Sequence, residues 1–259
     1  MAITRMAVIN HNNTEGSKES EAAHWGLWGT LLWGAVLAIV FIVLQTVTIT
    51  GILIAQDRHL GAVEFQHAFV AATTNGQVLS LVTFVTTIVC TGLLAGIIKL
   101  KKGTVLKEYL SIRSAPFSTL LQWLGVLVVF IASANVITLT LGRPLVTDFM
   151  SEIYASAEPM WMLWVALIIA APLFEETFFR GFLLRGLAAS FMGPIGAVLV
   201  TAVLWALIHT QYDAYDRTII FCLGLLLGAA RVRTGSLLVP LGLHAAMNLE
   251  ATIETALFG

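Results

Sequence analysis

The sequence predicts an all-α fold: a polytopic transmembrane bundle of about seven spans, or eight if the first apolar stretch holds two elements. A polar cavity is expected among its C-terminal four helices. Three observations lead there. Of 259 residues, 58% are hydrophobic and 11% charged, whereas a soluble domain carries about 25% charged residues. The apolar residues gather into stretches near the ~20 residues that cross a hydrocarbon core as a helix. Charged side chains inside those stretches are few, and they cluster late in the chain.

The expected spans run 25–54, 77–98, 120–141, 160–187, 193–209, 217–230 and 237–258. The fourth, at 28 residues, must tilt or project, and the fifth and sixth are short. Residues 1–24 read as a polar N-terminal tail, with 25–158 as N-terminal membrane helices and 159–259 as C-terminal core helices within one membrane domain. The tail has no short apolar core before a small-residue cleavage site, so it is not a signal peptide. Its Asn12-Asn13-Thr14 sequon is read as accidental. Trp25, Trp28 and Trp33 suit an interfacial belt, and Asn135 suits a bond between helices.

Basic loops set the expected orientation. Lys99, Lys101, Lys102, Lys107 and Arg113 place the 99–113 connection in the cytoplasm. Arg180 and Arg185 close the fourth span, and Arg231 and Arg233 close the sixth. The N-terminus then lies inside and the C-terminus outside. A bacterial plasma membrane is the expected location. A net charge of -1 excludes a nucleic-acid partner. Cys90 and Cys222 both sit in apolar runs and read as reduced packing residues.

The chemistry concentrates after residue 170. Glu175 and Glu176 stand together in an apolar stretch, followed by Arg180. A central acidic residue costs about 2.5 to 3.5 kcal/mol on insertion scales, so two adjacent ones argue for a role. On a helix, Glu176 and Arg180 share a face and neutralise each other, while Glu175 points about 100° away as the free carboxylate. Trp205-x-x-x-His209 follows near the end of the fifth stretch, and His244-x-x-x-Asn248 shares one face of the seventh. Imidazole moves protons near neutrality, and an amide N–H suits a developing oxyanion. Pro172 and Pro240 precede two of these groups and are expected to kink their helices. Taken singly, a membrane His, Asn or Trp is as readily a packing residue. The combination in order on three apolar elements is what points to catalysis.

At these residues the chain resembles the CPBP family of intramembrane proteases, which includes CAAX prenyl endopeptidases and bacteriocin-processing, Abi-like proteins. The family pattern is Glu-Glu-x-x-x-Arg, then Phe-x-x-x-His, then His-x-x-x-Asn or Asp. Here Glu175, Glu176 and Arg180 match the first part, and His244 and Asn248 match the third. The second keeps His209 but has Trp205 where Phe is usual. The resemblance covers about residues 159–250. It implies peptide-bond hydrolysis within the membrane: Glu175 and His209 activate water, His244 and Asn248 stabilise the oxyanion, and Glu176, Arg180 and Trp205 shape the site. The family has also been called metalloprotease, so Glu175, His209 and His244 would be the ligands if zinc is bound. No His-Glu-x-x-His accompanies them, and a glutamate-activated water is the preferred expectation. Expected partners are the bilayer and a membrane-associated peptide or protein substrate, lipidated or not: a prenylated C-terminus, a leader peptide or an anchored tail. Two other functions stay open, a non-catalytic scaffold or immunity protein of the same fold that binds a peptide or lipid, and a proton-coupled transporter. Against the last stands the lack of an internal repeat.

Overall fold

A computed structural model describes residues 23–259. The first 22 residues, and with them most of the polar stretch and the Asn12 sequon, lie outside it. Ten helices occur among the described residues, and there is no strand. In order they are α1 Leu27–Gln56, α2 Ala62–Ala72, α3 Gly76–Leu100, the single turn α4 Leu106–Tyr109, α5 Phe117–Thr140, α6 Asp148–Ala155, α7 Met160–Ala188, α8 Gly193–Ile208, α9 Ala214–Thr234 and α10 Leu238–Phe258.

Each expected span is one helix. The first apolar stretch is a single 30-residue helix. The sixth is longer than the apolar pattern suggested, because Asp213 caps α9 by accepting the Asp216 N–H at 3.0 Å and Gly235 ends it at φ 62°. Such a left-handed cap suits glycine. Four helices, α1, α3, α5 and α7, are long and apolar enough to cross a membrane by themselves. The 16-residue α8 is shorter. α9 and α10, at 21 residues each, rise about 31 Å, which matches a hydrocarbon core of ~30 Å. The chain is thus a polytopic helical membrane protein. Its outer surface carries exposed Ile39, Ile88, Val129 and Ile195, where lipid takes the place of a protein neighbour.

Two short helices occur where the apolar pattern suggested only connections. α2 holds His67 and packs Ala72 with Ile49, Leu53, Val78 and Val82. α6 buries Ile153 completely. Both are too short to span and too polar to register as apolar runs. Cys90 is buried, but Cys222 is exposed, so the packing expectation fits only the first. Both thiols are free.

The main core joins α1, α3, α7, α8, α9 and α10 through Leu37, Leu94, Phe178, Phe182, Trp205, Leu227 and Leu243. α7 lies centrally and packs against all the others. Its approach to α1 needs a glycine. A Cβ on Gly186 would sit 2.6 Å from Thr30 Cβ and 2.7 Å from Thr30 Cγ2, and Thr30 has no exposed surface. Gly186→Ala should therefore cost about 1–3 kcal/mol through overpacking, read by thermal unfolding in detergent. Adding Thr30→Gly should recover part of the loss.

The connections gather at two ends. At one, Arg185 donates to the Glu108 and Tyr109 carbonyls, Arg113 to the Gly235 carbonyl at 2.8 Å, and Arg231 to Ser111 at 2.9 Å. At the other, Arg143 Nη2 meets Asp213 Oδ2 at 2.5 Å and stacks on Tyr215. The Asp216 N–H and then Arg143 hold the Asp213 carboxyl below its ordinary value. This contribution is fully present above the usual aspartate value of about 3.9 and is lost as pH falls through the lowered folded value. As pH falls below about 3.9 and through the lowered folded value, pepsin nicking of residues 142–158 should rise toward the rate of Asp213→Asn. That variant should lack this pH-dependent part.

Candidate active site

α7 is not a uniform α-helix. Two segments, Ala166–Ala170 and Thr177–Leu183, are wound as π-helix, and Glu175 and Glu176 lie between them. In the first, the Ala171 N–H reaches the Ala166 carbonyl, five residues back. The same register would pair position 172 with the Leu167 carbonyl, but Pro172 has no N–H to give. Asn248 Nδ2 donates to the Leu167 carbonyl instead, at 2.7 Å. Thr87 Oγ1 from α3 donates to the Ala170 carbonyl at 3.0 Å. Unpaired carbonyls cost several kcal/mol in a membrane interior, so the proline-induced defect persists because α10 supplies the donor that Pro172 lacks. Pro240, by contrast, falls in the first turn of α10, where no helix bond is lost. The expected second kink therefore does not arise from it.

The two carboxylates have separate environments, as their 100° offset predicts. Glu176 is completely buried, as is Arg180. Glu176 Oε1 accepts from Arg180 Nη1 at 2.8 Å and from His244 Nδ1 at 2.9 Å. Arg180 also donates to the Gly224 carbonyl at 3.3 Å, and its own carbonyl accepts from Arg231 Nε at 3.1 Å. Glu175 is half-buried. Its Oε2 accepts from Trp205 Nε1 at 2.5 Å.

Trp205 links the rest. Its ring is 2% exposed and meets both imidazoles edge-on, with centroids 5.1 Å from His209 and 5.1 Å from His244. The Arg180 guanidinium lies 4.5 Å over the same indole. His209, half-buried, caps the C-terminus of α8 with its Nδ1 2.7 Å from the Trp205 carbonyl. A carbonyl only accepts, so Nδ1 carries a proton, and in the neutral ring Nε2 keeps the lone pair. The structure thus brings Glu175, Glu176, Arg180, Trp205, His209 and His244 into one contact network. Asn248, one turn beyond His244, enters through α7 backbone. Asn135 also bonds between helices, at 3.4 Å to Glu254.

A zinc ion bound by Glu175, His209 and His244 would need all three ligand atoms at about 2.0–2.2 Å. Among the described residues, no three His, Cys, Asp or Glu side chains converge in that way. Glu175 turns one oxygen to the indole, and both imidazole rings stand nearly perpendicular to that same indole. This arrangement does not fit a zinc site, and metalloprotease chemistry is unsupported.

The sequence did not mark two contributors. Thr87 lies in an ordinary apolar run, with no signal of its role. Gly224 is visible only once α8 and α9 are paired: a Cβ there would stand 3.0 Å from Ala202 Cβ and 3.2 Å from Trp205 Cε3.

Residues 157–249 match the family model described as type II CAAX prenyl endopeptidase Rce1-like. An Escherichia coli protein named "Uncharacterized 24.3 kDa protein" is 35% identical over 116 residues, covering 43% of this chain. The chain spans about half, 51%, of the length of that curated relative. No solved structure matches. The matched segment covers α7, α8 and α9 and half of α10, and every residue of the network above falls inside it. Residues 157–249, which hold the whole network, are thus similar to the Rce1-like type II CAAX prenyl endopeptidases, and the match falls on the segment that carries the motifs.

Proposed function

We propose that the chain is an intramembrane endopeptidase that hydrolyses a peptide bond of a membrane-associated protein or peptide with water activated by Glu175 and His209. The observation that carries this reading is the division of labour between neighbouring carboxylates. Glu176 is paired with Arg180 and His244, whereas Glu175 is half-buried, with one oxygen on an indole N–H.

In the proposed reaction, the free oxygen of Glu175 takes a proton from water, and His209 Nε2 accepts from the same water and orients it. The water oxygen bonds to the scissile carbonyl carbon, whose π electrons move to oxygen. With Nδ1–H on Glu176, His244 donates from Nε2 as the imidazolium, and Glu176 supplies the counter-charge. An amide nitrogen carries two hydrogens. One from Asn248 goes to the Leu167 carbonyl and holds the amide in place, which leaves the other for the oxyanion. When the oxyanion re-forms the carbonyl, the C–N bond breaks and the Glu175 proton passes to the leaving amine.

The substrate class proposed is an anchored segment that enters between helices: a lipidated C-terminus, a leader peptide or a membrane tail. The proposed orientation puts the Arg113–Arg185–Arg231 end in the cytoplasm, and with it the N-terminus. A reporter on the 211–216 connection that reads cytoplasmic overturns this. The function itself is tested by comparing membrane-protein termini in cells with wild-type and Glu175→Gln protein. New termini that depend on Glu175 support cleavage. Identical termini with the biological effect preserved point to a peptide- or lipid-binding scaffold instead.

A further inference from the structure

We infer that Trp205 is a positioning residue for Glu175, and that its indole N–H, which a phenylalanine lacks, holds the carboxylate for attack. This rests on the proteolytic reading above. A phenylalanine at this place in Phe-x-x-x-His would supply an aromatic wall and the backbone carbonyl that receives His209 Nδ1. It would supply no donor. Here Nε1 donates to Glu175 Oε2 at 2.5 Å, a charge-assisted bond of the strong kind. One carboxylate oxygen is thereby fixed and the other is left for water.

A second observation is independent of that bond. An indole is larger than a phenyl ring, and the added bulk needs room. Gly224 on α9 provides it: the Cβ that it lacks would lie 3.2 Å from Trp205 Cε3. Arg180 adds to the fit, with its guanidinium over the indole and its Nη2 on the Gly224 carbonyl. Trp205 is therefore held from α7, α9 and α10 while it holds Glu175 and, through its carbonyl, His209. The two groups that act on the water in the proposed reaction are oriented by one residue.

The test replaces Trp205 with benzothienylalanine, which keeps the bicyclic shape and exchanges N–H for sulfur, and in parallel with Phe. The probe is a quenched-fluorescent peptide spanning a junction found by the terminus comparison, cleaved by the full chain in detergent. The expected result is a fall in kcat of about 10- to 100-fold for both variants, the scale of a misplaced reacting group. KM should stay within about twofold, and thermal unfolding of the benzothienyl protein should be unchanged. An unchanged kcat in the benzothienyl protein overturns the inference. So does a loss confined to Trp205→Phe with kcat and KM moving together, because that reports packing alone. A second measurement needs no turnover. The Trp205 indole N–H resonance, assigned by its disappearance in Trp205→Phe, should move upfield in Glu175→Ala, and a resonance that stays put removes the hydrogen bond and the inference with it. A resonance that moves in a wild-type protein that cleaves nothing overturns the proteolytic reading and the catalytic part of this one, while the bond itself stands.

Discussion

Glu176→Ala should destabilise the protein by about 3–5 kcal/mol, the cost of stranding a buried charge, and lower the thermal midpoint by about 10 °C or more. Glu176 and Arg180 have no exposed surface, so water cannot replace the missing partner. The loss reaches three elements, because Glu176 Oε1 holds Arg180 on α7 and His244 on α10, while Arg180 reaches Gly224 on α9. Glu176→Gln keeps an acceptor and should lose less. A double change of Glu176 and Arg180 to Met should recover much of the alanine loss, since an apolar pair of similar volume often matches a buried ion pair. It should not restore turnover, because His244 still loses its Nδ1 partner. Detergent-phase unfolding curves of the four proteins check this order. An alanine variant within about 1 kcal/mol of wild type would show that the ion pair does not hold the bundle together.

Much of this arrangement was legible before any coordinates. Spacing alone pairs Glu176 with Arg180 and turns Glu175 away, because a helix places residues four apart on one face, and that holds although Arg180 lies within the second π-segment. The seven apolar stretches became seven helices because a span leaves a long, nearly uncharged record. What stayed hidden depended on contacts between distant elements. Trp205 read as an aromatic wall, since nothing in a single stretch says which side chain an indole N–H faces. Asn248 reads either as an oxyanion donor or as a bond between helices, with no partner named. Its bond to the Leu167 carbonyl follows from the π-register and from Pro172, and that register is written in no local motif. α2 and α6 were missed because 11 and 8 residues leave too little periodicity between turns.

Glu175→Gln should reduce turnover by about 10²- to 10⁴-fold, the usual contribution of a positioned acid–base group, and leave the fold nearly unchanged. The amide still offers an oxygen to Trp205 Nε1, and Glu175 is half-buried with no ion pair among the described residues. His209→Ala should lower turnover on the same scale. Because both groups act on one water, the double variant should be little worse than the weaker single, as groups acting as a unit are not additive. His244 and Asn248 act on the carbonyl oxygen and not on the water. His244→Ala and Asn248→Ala should each cost about 10²- to 10³-fold if the residue donates to the oxyanion, and Asn248→Ala should also lower stability because it strands the Leu167 carbonyl. Single-turnover cleavage beside unfolding curves separates these effects. Adjacent carboxylates would then fail in opposite ways: position 176 loses the fold, and position 175 loses the reaction with the fold intact. If Glu175→Gln cleaves as fast as wild type, the carboxylate beside Trp205 is not the base.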